Sequence, residues 1–331
     1  MYYKKNNLFI EKIRTQSITK KVSTPFYCYS YNQLKTNILS FKKNFSNINP
    51  LICFSVKSNN NLQILKVIKN FGLGADVVSK GELLRVLKAG INPNKIVFSG
   101  VGKTTSEIDF AIQKKILLIN AESENELKNI QKIAKKKNKI VNVGLRLNPN
   151  IDARTLKKIS TGRDEDKFGI SKKILIKLIN NYKNSSHINI KCLSVHIGSQ
   201  ILDHRPYLKM INVLNNLIIE SQHKFDYIDL GGGMGIDYNL SSKKLNYKKY
   251  KFAVKKLLNK HKVKIIFEPG RSIIGDTAAL ITKVIYIKST SRKNFVIMDA
   301  AMNDFMRPAL YGSFHRIIPA KKSKIIKKKN S

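Results

Sequence analysis

The sequence is poor in acidic residues and in cysteine. Its 331 residues include 62 Lys and Arg but only 21 Asp and Glu, so the formal net charge is +41. The three cysteines are Cys28, Cys53 and Cys192, and a set so sparse and odd in number does not provide a disulfide framework. Cys53 and Cys192 fall inside apolar runs, which predicts reduced thiols in the core.

Long hydrophobic runs are also missing. No uninterrupted stretch reaches 18 apolar residues, so a membrane-spanning helix is not expected. The first residues, MYYKKNNLFIEKIR, contain no apolar segment of the length found in secretory signals. We therefore predict a cytoplasmic protein that has no membrane partner.

The excess of positive charge has two interpretations. One is nucleic-acid binding through neutralisation of phosphates. However, lysines run through nearly every predicted helix, and no segment resembles a zinc finger or an aromatic RNA-binding sheet. We favour lysines scattered over solvated faces and expect no nucleic-acid partner. The end of the chain, AKKSKIIKKKNS, is interpreted as a disordered basic tail.

Short apolar runs alternate with longer amphipathic stretches along the chain. Runs that are apolar throughout are typical of parallel strands covered on both faces, and eight units over about 220 residues predict an α/β protein with a (β/α)8 barrel. A doubly wound sheet is the competing architecture, but no G-x-G-x-x-G follows the first strand. The candidate strands lie at 51–57, 74–79, 95–100, 116–120, 141–148, 190–198, 227–233 and 264–270.

Several helix starts carry the signature of a capping box, in which a hydroxyl and a glutamate three residues later satisfy backbone N–H groups. These pairs are Ser79 with Glu82, Thr104 with Glu107, and Ser123 with Glu126.

The two ends of the chain do not fit the barrel. β-like segments occur before residue 30, and KVIYIKS and NFVIMDA follow Thr282. We predict a barrel over 31–280, a β-rich domain built from 1–30 and 281–318, and a tail over 319–331. Two or three strands cannot bury a sandwich core, so the β-rich domain is expected to be incomplete.

Polar residues and glycines follow each apolar run, where a barrel collects its active-site groups. They include Lys57 after the first run, His196 with Ser199 after the sixth, the three glycines 231–233 after the seventh, and EPGR (268–271) after the eighth. A lysine at an apolar strand end is partly desolvated, and we expect a lowered pKa that leaves the amine reactive. Glycines without Cβ atoms let the backbone approach an anion such as phosphate.

The chain resembles the fold-type III pyridoxal-phosphate decarboxylases, whose barrel is alanine-racemase-like, and within them the diaminopimelate decarboxylases. Its last motif favours the diaminopimelate branch over the ornithine and arginine branches. The motifs occur in the family's order between residues 24 and 312: TPFYCYS, FSVKSN, GADVVSKGEL, ISTGRDEDKFGI, HIGSQ, DLGGGMGIDY, EPGR and MDAAMNDFMRPALYG.

The resemblance implies pyridoxal 5'-phosphate as cofactor, no metal, and a role for each matching position. Lys57 would be catalytic and form the imine with the cofactor aldehyde, and Glu268 would keep the pyridine nitrogen protonated. Alanine racemases have an arginine at that position, so the glutamate favours decarboxylation. His196 would stack on the ring, and Ser199 would lie near the phosphate. The cofactor's phosphate would be held by Gly231, Gly232, Gly233, Pro269, Gly270 and Arg271, and the substrate by Arg271, Arg307 and Tyr311.

The implied reaction converts meso-2,6-diaminopimelate into L-lysine and CO2, the last step of lysine biosynthesis, in a homodimer. The family's proton-donating cysteine and a cofactor-contacting tyrosine match nothing before residue 331, which predicts a C-terminally truncated chain, with impaired activity and an incomplete dimer. Two alternatives stay open: an ornithine- or arginine-type decarboxylase, and a non-catalytic pyridoxal-phosphate-binding remnant. Leu156 stands where the family often has histidine.

Overall fold

A computed structural model describes residues 1–153, 161–238 and 241–322. Leu156 and the tail beyond residue 322 lie outside these ranges. The chain divides into two compact units, one of 37–236 with 243–275, and one of 1–36 with 237–242 and 276–331. Residues 31–36 and 276–280 thus group with the terminal unit, whereas the sequence-based division includes them in the barrel.

The first unit is a closed barrel of eight parallel strands, as predicted. Each strand pairs with its neighbours in sequence, and β8 closes the barrel by pairing with β1. This closure excludes the doubly wound open sheet. The strands are β1 (Leu51–Ser55), β2 (Gly74–Val77), β3 (Ile96–Phe98), β4 (Leu118–Ala121), β5 (Val141–Leu147), β6 (Ile188–Val195), β7 (Tyr227–Asp229) and β8 (Lys264–Phe267).

A helix follows each strand and covers the outside of the barrel. In the fourth, Leu127, Ile130, Ile133 and Ala134 are buried at helical spacing, and its lysines lie on the opposite, solvated face. The helices are α1 (Leu62–Asn70), α2 (Lys80–Lys88), α3 (Thr105–Gln113), α4 (Glu124–Lys136), α5 (Lys172–Tyr182), α6 (Arg205–Ser221), α7 (Tyr247–Lys260) and α8 (Arg271–Ile274), and Tyr31–Asn44 precedes β1. Within the described residues, every helix is too short or too polar to cross a membrane.

The barrel interior has an apolar layer and a polar layer. Cys53, Val97, Leu118, Cys192 and Ile266 form the buried apolar cluster, and both thiols are free, as predicted. Burial raises the pKa of each thiol well above its usual value. The polar layer lies nearer the C-terminal strand ends and contains the candidate site.

The predicted caps form, but only one is a complete box. The Thr104 hydroxyl accepts from the Glu107 N–H at 3.3 Å, and the Thr104 N–H donates to the Glu107 carboxylate at 3.0 Å. Ser79 and Ser123 also cap their helices. Their partner glutamates instead accept from the N–H of Val78 and Glu122, the residues before each cap. The prediction of a complete capping box is therefore wrong at these two helices.

The terminal unit is built from short antiparallel pairs. Its strands are Tyr2–Lys4, Asn7–Ile10, Ile13–Arg14, Phe26–Tyr29, Ala278–Ile281, Val284–Ser289 and Asn294–Met298, and its helices are Thr15–Thr19 and Arg307–Tyr311. The first three form a meander, Phe26–Tyr29 pairs with Ala278–Ile281, and the last two form a hairpin. The hairpin is exposed along nearly its whole length.

The complete box at α3 allows a stability test. We expect Thr104→Ala to lower the free energy of unfolding by about 1 kcal/mol, because the first turn of α3 loses its side-chain acceptor. Urea denaturation followed by circular dichroism measures the change. Thr36→Ala is the control, since Thr36 is an exposed threonine inside the helix Tyr31–Asn44. An equal loss in both variants would contradict a specific contribution from the cap.

Candidate active site

Lys57 lies at the mouth of the barrel, directly after β1. The backbone there leaves the strand in a single 3₁₀ turn, Val56–Ser58. Its Nζ lies 3.5 Å from the Oδ2 of Asp76, which is fully buried at the matching level of β2. The Lys57 side chain as a whole remains 49% exposed, which places it at the open end of the barrel.

The expected lowering of the Lys57 pKa is wrong. Burial does lower the pKa of this amine, but the carboxyl groups of Asp76 and Glu268 raise it more, and the net pKa lies above that of an ordinary lysine. Without cofactor, Lys57 is therefore an ammonium ion that compensates buried negative charge. The sequence argument considered only desolvation and omitted the acids on neighbouring strands.

Three acidic side chains are buried in the mouth. Asp76, Asp229 and Glu268 are at most 6% exposed and come from β2, β7 and the end of β8. The Ser55 hydroxyl donates to Asp76 at 2.6 Å, and the Ser99 hydroxyl lies 3.5 Å from Glu268. Burial, together with Asp229 and Asp76, raises the pKa of Glu268 well above its usual value, although Lys57 opposes the change.

The glycine loop after β7 is tied tightly to its surroundings. The Gly231 N–H donates to Asp229 Oδ1 at 2.9 Å, and the Gly232 N–H donates to His196 Nδ1 at 3.2 Å. The Gly232 carbonyl accepts from the Tyr207 hydroxyl at 3.0 Å. A Cβ at Gly232 would overlap the Glu268 carbonyl oxygen, so a side chain would force the β7 and β8 loops apart. Gly231 and Gly232 thus let the loop backbone pack closely against its neighbours, while their N–H groups already have acceptors.

The hydrogen bond from Gly232 determines the protonation of His196. A backbone N–H can only donate, so Nδ1 is the acceptor and the ring proton lies on Nε2. Burial, Lys57 and Arg146 all lower the pKa of His196 well below its usual value. The imidazole is therefore neutral and presents an uncharged ring to the mouth.

The EPGR segment closes the site after β8. The Pro269 carbonyl accepts from the Ser55 N–H at 3.1 Å, which joins this turn to β1. A Cβ at Gly270 would lie 3.1 Å from the side chains of Ser55 and Ser58. The Arg271 guanidinium donates to the Ser199 hydroxyl at 3.3 Å. The barrel therefore brings together every predicted site residue that lies within it.

The two remaining predicted residues belong to the terminal unit. Arg307 and Tyr311 are the ends of a short helix, and the Arg307 guanidinium lies 5.7 Å from the Tyr311 ring centroid. It also lies 5.4 Å from the ring centroid of Tyr238. Their role in substrate binding stays a prediction.

The sequence motifs assign no role to several polar residues of the mouth, although Arg146 is one of the polar residues at a strand end. The Arg146 guanidinium donates to the Glu122 carboxylate at 2.8 Å, and both side chains are buried. Glu122 also accepts from the N–H of Gly100 and Gly169 and so joins three loops. The available signal was a polar residue within or directly after an apolar strand. Asn120, Glu122, Arg146, Ser194 and Asp229 all follow this pattern.

Comparisons with known proteins agree with this geometry. The family model described as pyridoxal-dependent decarboxylase, pyridoxal binding domain, matches residues 31–275. A diaminopimelate decarboxylase from Aquifex aeolicus (strain VF5) is 39% identical over 96% of this chain and 76% of its own length. One from Helicobacter pylori (strain J99) is 41% identical over 91% of this chain and 75% of its own length.

The chain belongs to the diaminopimelate decarboxylase family of pyridoxal-dependent decarboxylases. Solved structures support the same relationship. The H. pylori enzyme complexed with L-lysine superposes with a TM-score of 0.87 at 39% identity, covering 91% of this chain and 76% of that one. The M. jannaschii enzyme in co-complex with L-lysine superposes with a TM-score of 0.90 at 33% identity, covering 96% of this chain and 77% of that one.

The residues of the mouth fit the cofactor of this family, pyridoxal 5'-phosphate. Lys57 offers a primary amine for the aldehyde, and Glu268 offers an acid for the ring nitrogen. Gly232 leaves backbone surface where a side chain could not fit. Among the described residues, the buried Asp76 Oδ1 has no hydrogen-bond partner, which is consistent with a polar group bound nearby.

The ion pair of Lys57 with Asp76 predicts how the cofactor attaches. Asp76→Asn removes the charge that most raises the Lys57 pKa, so more unprotonated amine is present at neutral pH. We expect the pH profile for attachment of pyridoxal phosphate to move down by about 1–3 units. Stopped-flow absorbance measures the rate at each pH.

A matched control is Asp226→Asn, which removes an exposed aspartate paired with Lys191. Its pH profile should equal that of the unmodified chain. An unchanged profile in Asp76→Asn would contradict the proposed control of Lys57 by Asp76.

Proposed function

We propose that this chain carries the barrel active site of a diaminopimelate decarboxylase, a carboxy-lyase that forms L-lysine and CO2 from meso-2,6-diaminopimelate with pyridoxal 5'-phosphate. The observation that carries the proposal is the meeting of Lys57, Asp76 and Glu268 in one barrel mouth. The related solved enzymes bind L-lysine, which is the product of this reaction.

The chain's residues divide the work of holding the cofactor. Lys57 would hold the aldehyde end, and Glu268 would interact with the ring nitrogen. The phosphate is assigned to Gly231, Gly232, Gly233, Pro269, Gly270 and Arg271, with Ser199 beside Arg271. The N–H groups of Gly231 and Gly232 already have acceptors. The Glu268 N–H donates to the Gly231 carbonyl, and Pro269 has no N–H. In this proposal the backbone donors are therefore those of Gly233, Gly270 and Arg271. His196 would contact the ring as a neutral group.

Bound pyridoxal phosphate supplies an electron sink for the charge that remains at the substrate's α-carbon when CO2 leaves. The protein must keep a proton at the ring nitrogen for this sink to work. Glu268 would serve this task because the negative charge of a carboxylate beside the ring nitrogen would stabilise the protonated ring. In the chain without cofactor, the Asp76 carboxylate stabilises the protonated amine of Lys57.

Substrate binding is assigned to Arg271, Arg307 and Tyr311. Arginine binds a carboxylate through two parallel hydrogen bonds, and diaminopimelate carries a carboxylate at each end. Ornithine and arginine carry one, and the relatives that match over most of the chain are diaminopimelate decarboxylases, which favours the diaminopimelate reaction over the ornithine and arginine alternatives.

Protonation of the α-carbon by a thiol of the described chain is not supported. Cys53 and Cys192 lie in the apolar layer, and burial raises the pKa of Cys28 as well. The chain spans about three quarters of the length of its relatives. We carry forward the homodimer and the cytoplasmic location as proposals, which gel filtration with light scattering and cell fractionation test.

The catalytic role of Lys57 predicts that Lys57→Ala loses covalent cofactor. Borohydride reduction followed by peptide mass spectrometry should find the pyridoxyl group on Lys57 in the unmodified chain and nowhere in the variant. Lys66→Ala, an exposed lysine of α1, is the control and should keep the label. Label retained at another lysine in Lys57→Ala would contradict the assignment.

The decarboxylase proposal itself is tested by CO2 release from meso-diaminopimelate, with ornithine and arginine as competing substrates. We expect release from diaminopimelate and a decrease of about 10²-fold or more in Glu268→Gln, because the ring nitrogen loses its acid. Cofactor should still bind, as its visible absorbance will show. Glu220→Gln, which breaks an exposed ion pair with Lys172, should retain activity. Cofactor binding without CO2 release in the unmodified chain would favour the non-catalytic alternative.

A further inference from the structure

Asp229 and Glu268 lie side by side on neighbouring strands. Asp229 ends β7 and pairs in register with Ile266 of β8. Ile266 points into the barrel, and Glu268 lies two residues further along on the same face. The Glu268 N–H also donates to the Gly231 carbonyl at 2.8 Å. The Asn120 amide donates to Asp229 at 3.1 Å and to the Ser99 hydroxyl at 3.2 Å, and that hydroxyl lies 3.5 Å from Glu268. The two carboxyl groups are thus close neighbours in one buried network, and each changes the pKa of the other.

A hydrogen bond between two carboxyl groups requires a proton on one of them, since a carboxylate only accepts. Asp229 is 0% exposed and Glu268 is 6% exposed. Two adjacent buried carboxylates without that proton would repel each other in a region of low dielectric constant. The geometry therefore favours one negative charge across the pair.

Neighbouring donors decide which member keeps the charge. Asp229 accepts from the Gly231 N–H at 2.9 Å, the Asn120 amide at 3.1 Å and the Ser194 hydroxyl at 3.2 Å. Glu268 has the Ser99 hydroxyl at 3.5 Å, which is the outer limit of a hydrogen bond. Hydrogen bonds to a carboxylate stabilise its charged form, so the charge belongs on Asp229.

We propose that Asp229 and Glu268 share one proton, which Glu268 holds and donates to the Asp229 carboxylate, so that Asp229 is a positioning residue for the acid of the active site. The pair forms in the chain by itself, and only its use toward the ring nitrogen rests on the proposed function. When Glu268 acts on the ring nitrogen, Asp229 would orient its side chain and favour its protonated form.

Other ionisable groups face the pair from the surrounding elements. Asp76 on β2 adds negative charge and favours retention of the proton, whereas the Lys57 ammonium opposes it. The thiols and the tyrosine near the pair are neutral at pH 7 because burial raises their pKa values. These groups are Cys53, Cys192 and Tyr250.

Infrared difference spectroscopy of the chain without cofactor tests the proposal. At pH 7 the unmodified chain should show the carbonyl band of a protonated carboxylic acid, and Glu268→Gln should remove it. In Asp229→Asn, the pH at which this band disappears should fall by about 1–3 units, because the anion that favours the protonated form is gone. Circular dichroism establishes that each variant is folded.

The matched control is Glu82→Gln. Glu82 has a pKa raised by burial and accepts from the Val78 N–H at the start of α2, so its removal should leave the Glu268 band and its titration unchanged. If Asp229→Asn does not fold, the loss of the band in Glu268→Gln still decides the position of the proton.

Two results would overturn the proposal. The first is the absence, at pH 7, of any acid band that Glu268→Gln removes. The second is an acid band whose titration is the same with and without Asp229. Neither result depends on cofactor binding or CO2 release, so this proposal and the proposed function can fail separately.

Discussion

The barrel mouth depends on the compensation of buried carboxyl groups by one lysine and by donors on the strands. Asp76, Asp229 and Glu268 are removed from water, which is costly for a carboxylate unless it is paired or hydrogen-bonded. Asp76 forms an ion pair with Lys57, and Asp229 accepts a hydrogen bond from the Gly231 N–H. The proton on Glu268 leaves this third carboxyl group without a negative charge. The Lys57 amine is thus part of what allows the acids to be buried.

The loops around the barrel mouth hold the buried carboxyl groups and their partners in place. The β7 loop approaches β8 so closely that Gly232 cannot be replaced by a residue with a side chain. The Gly232 N–H donates a hydrogen bond to His196, and its carbonyl accepts one from Tyr207. The bonds of Gly232 fix the tautomer of the histidine and the orientation of the loop. A second buried network, in which Glu122 pairs with Arg146, joins the loops on the opposite strands. These contacts connect the loops of the barrel mouth to one another.

The barrel could be predicted from the sequence because each strand is a continuous apolar run followed by polar residues. Lys57 and Glu268 could be located for the same reason, since each lies directly after such a run. The raised pKa of Lys57 could not be predicted in this way. It arises from Asp76 on another strand, and the sequence does not give the distance between the two side chains. Asp229 escaped notice for a similar reason, since its importance comes from its register with Ile266 and Glu268.

A crystal structure of the chain with pyridoxal phosphate tests the central claim most directly. The account predicts continuous electron density between the Lys57 Nζ and the cofactor, with the pyridine nitrogen in hydrogen-bond contact with Glu268 and Asp229 behind it. A cofactor bound away from Lys57, or a ring nitrogen that Glu268 does not reach, would contradict it.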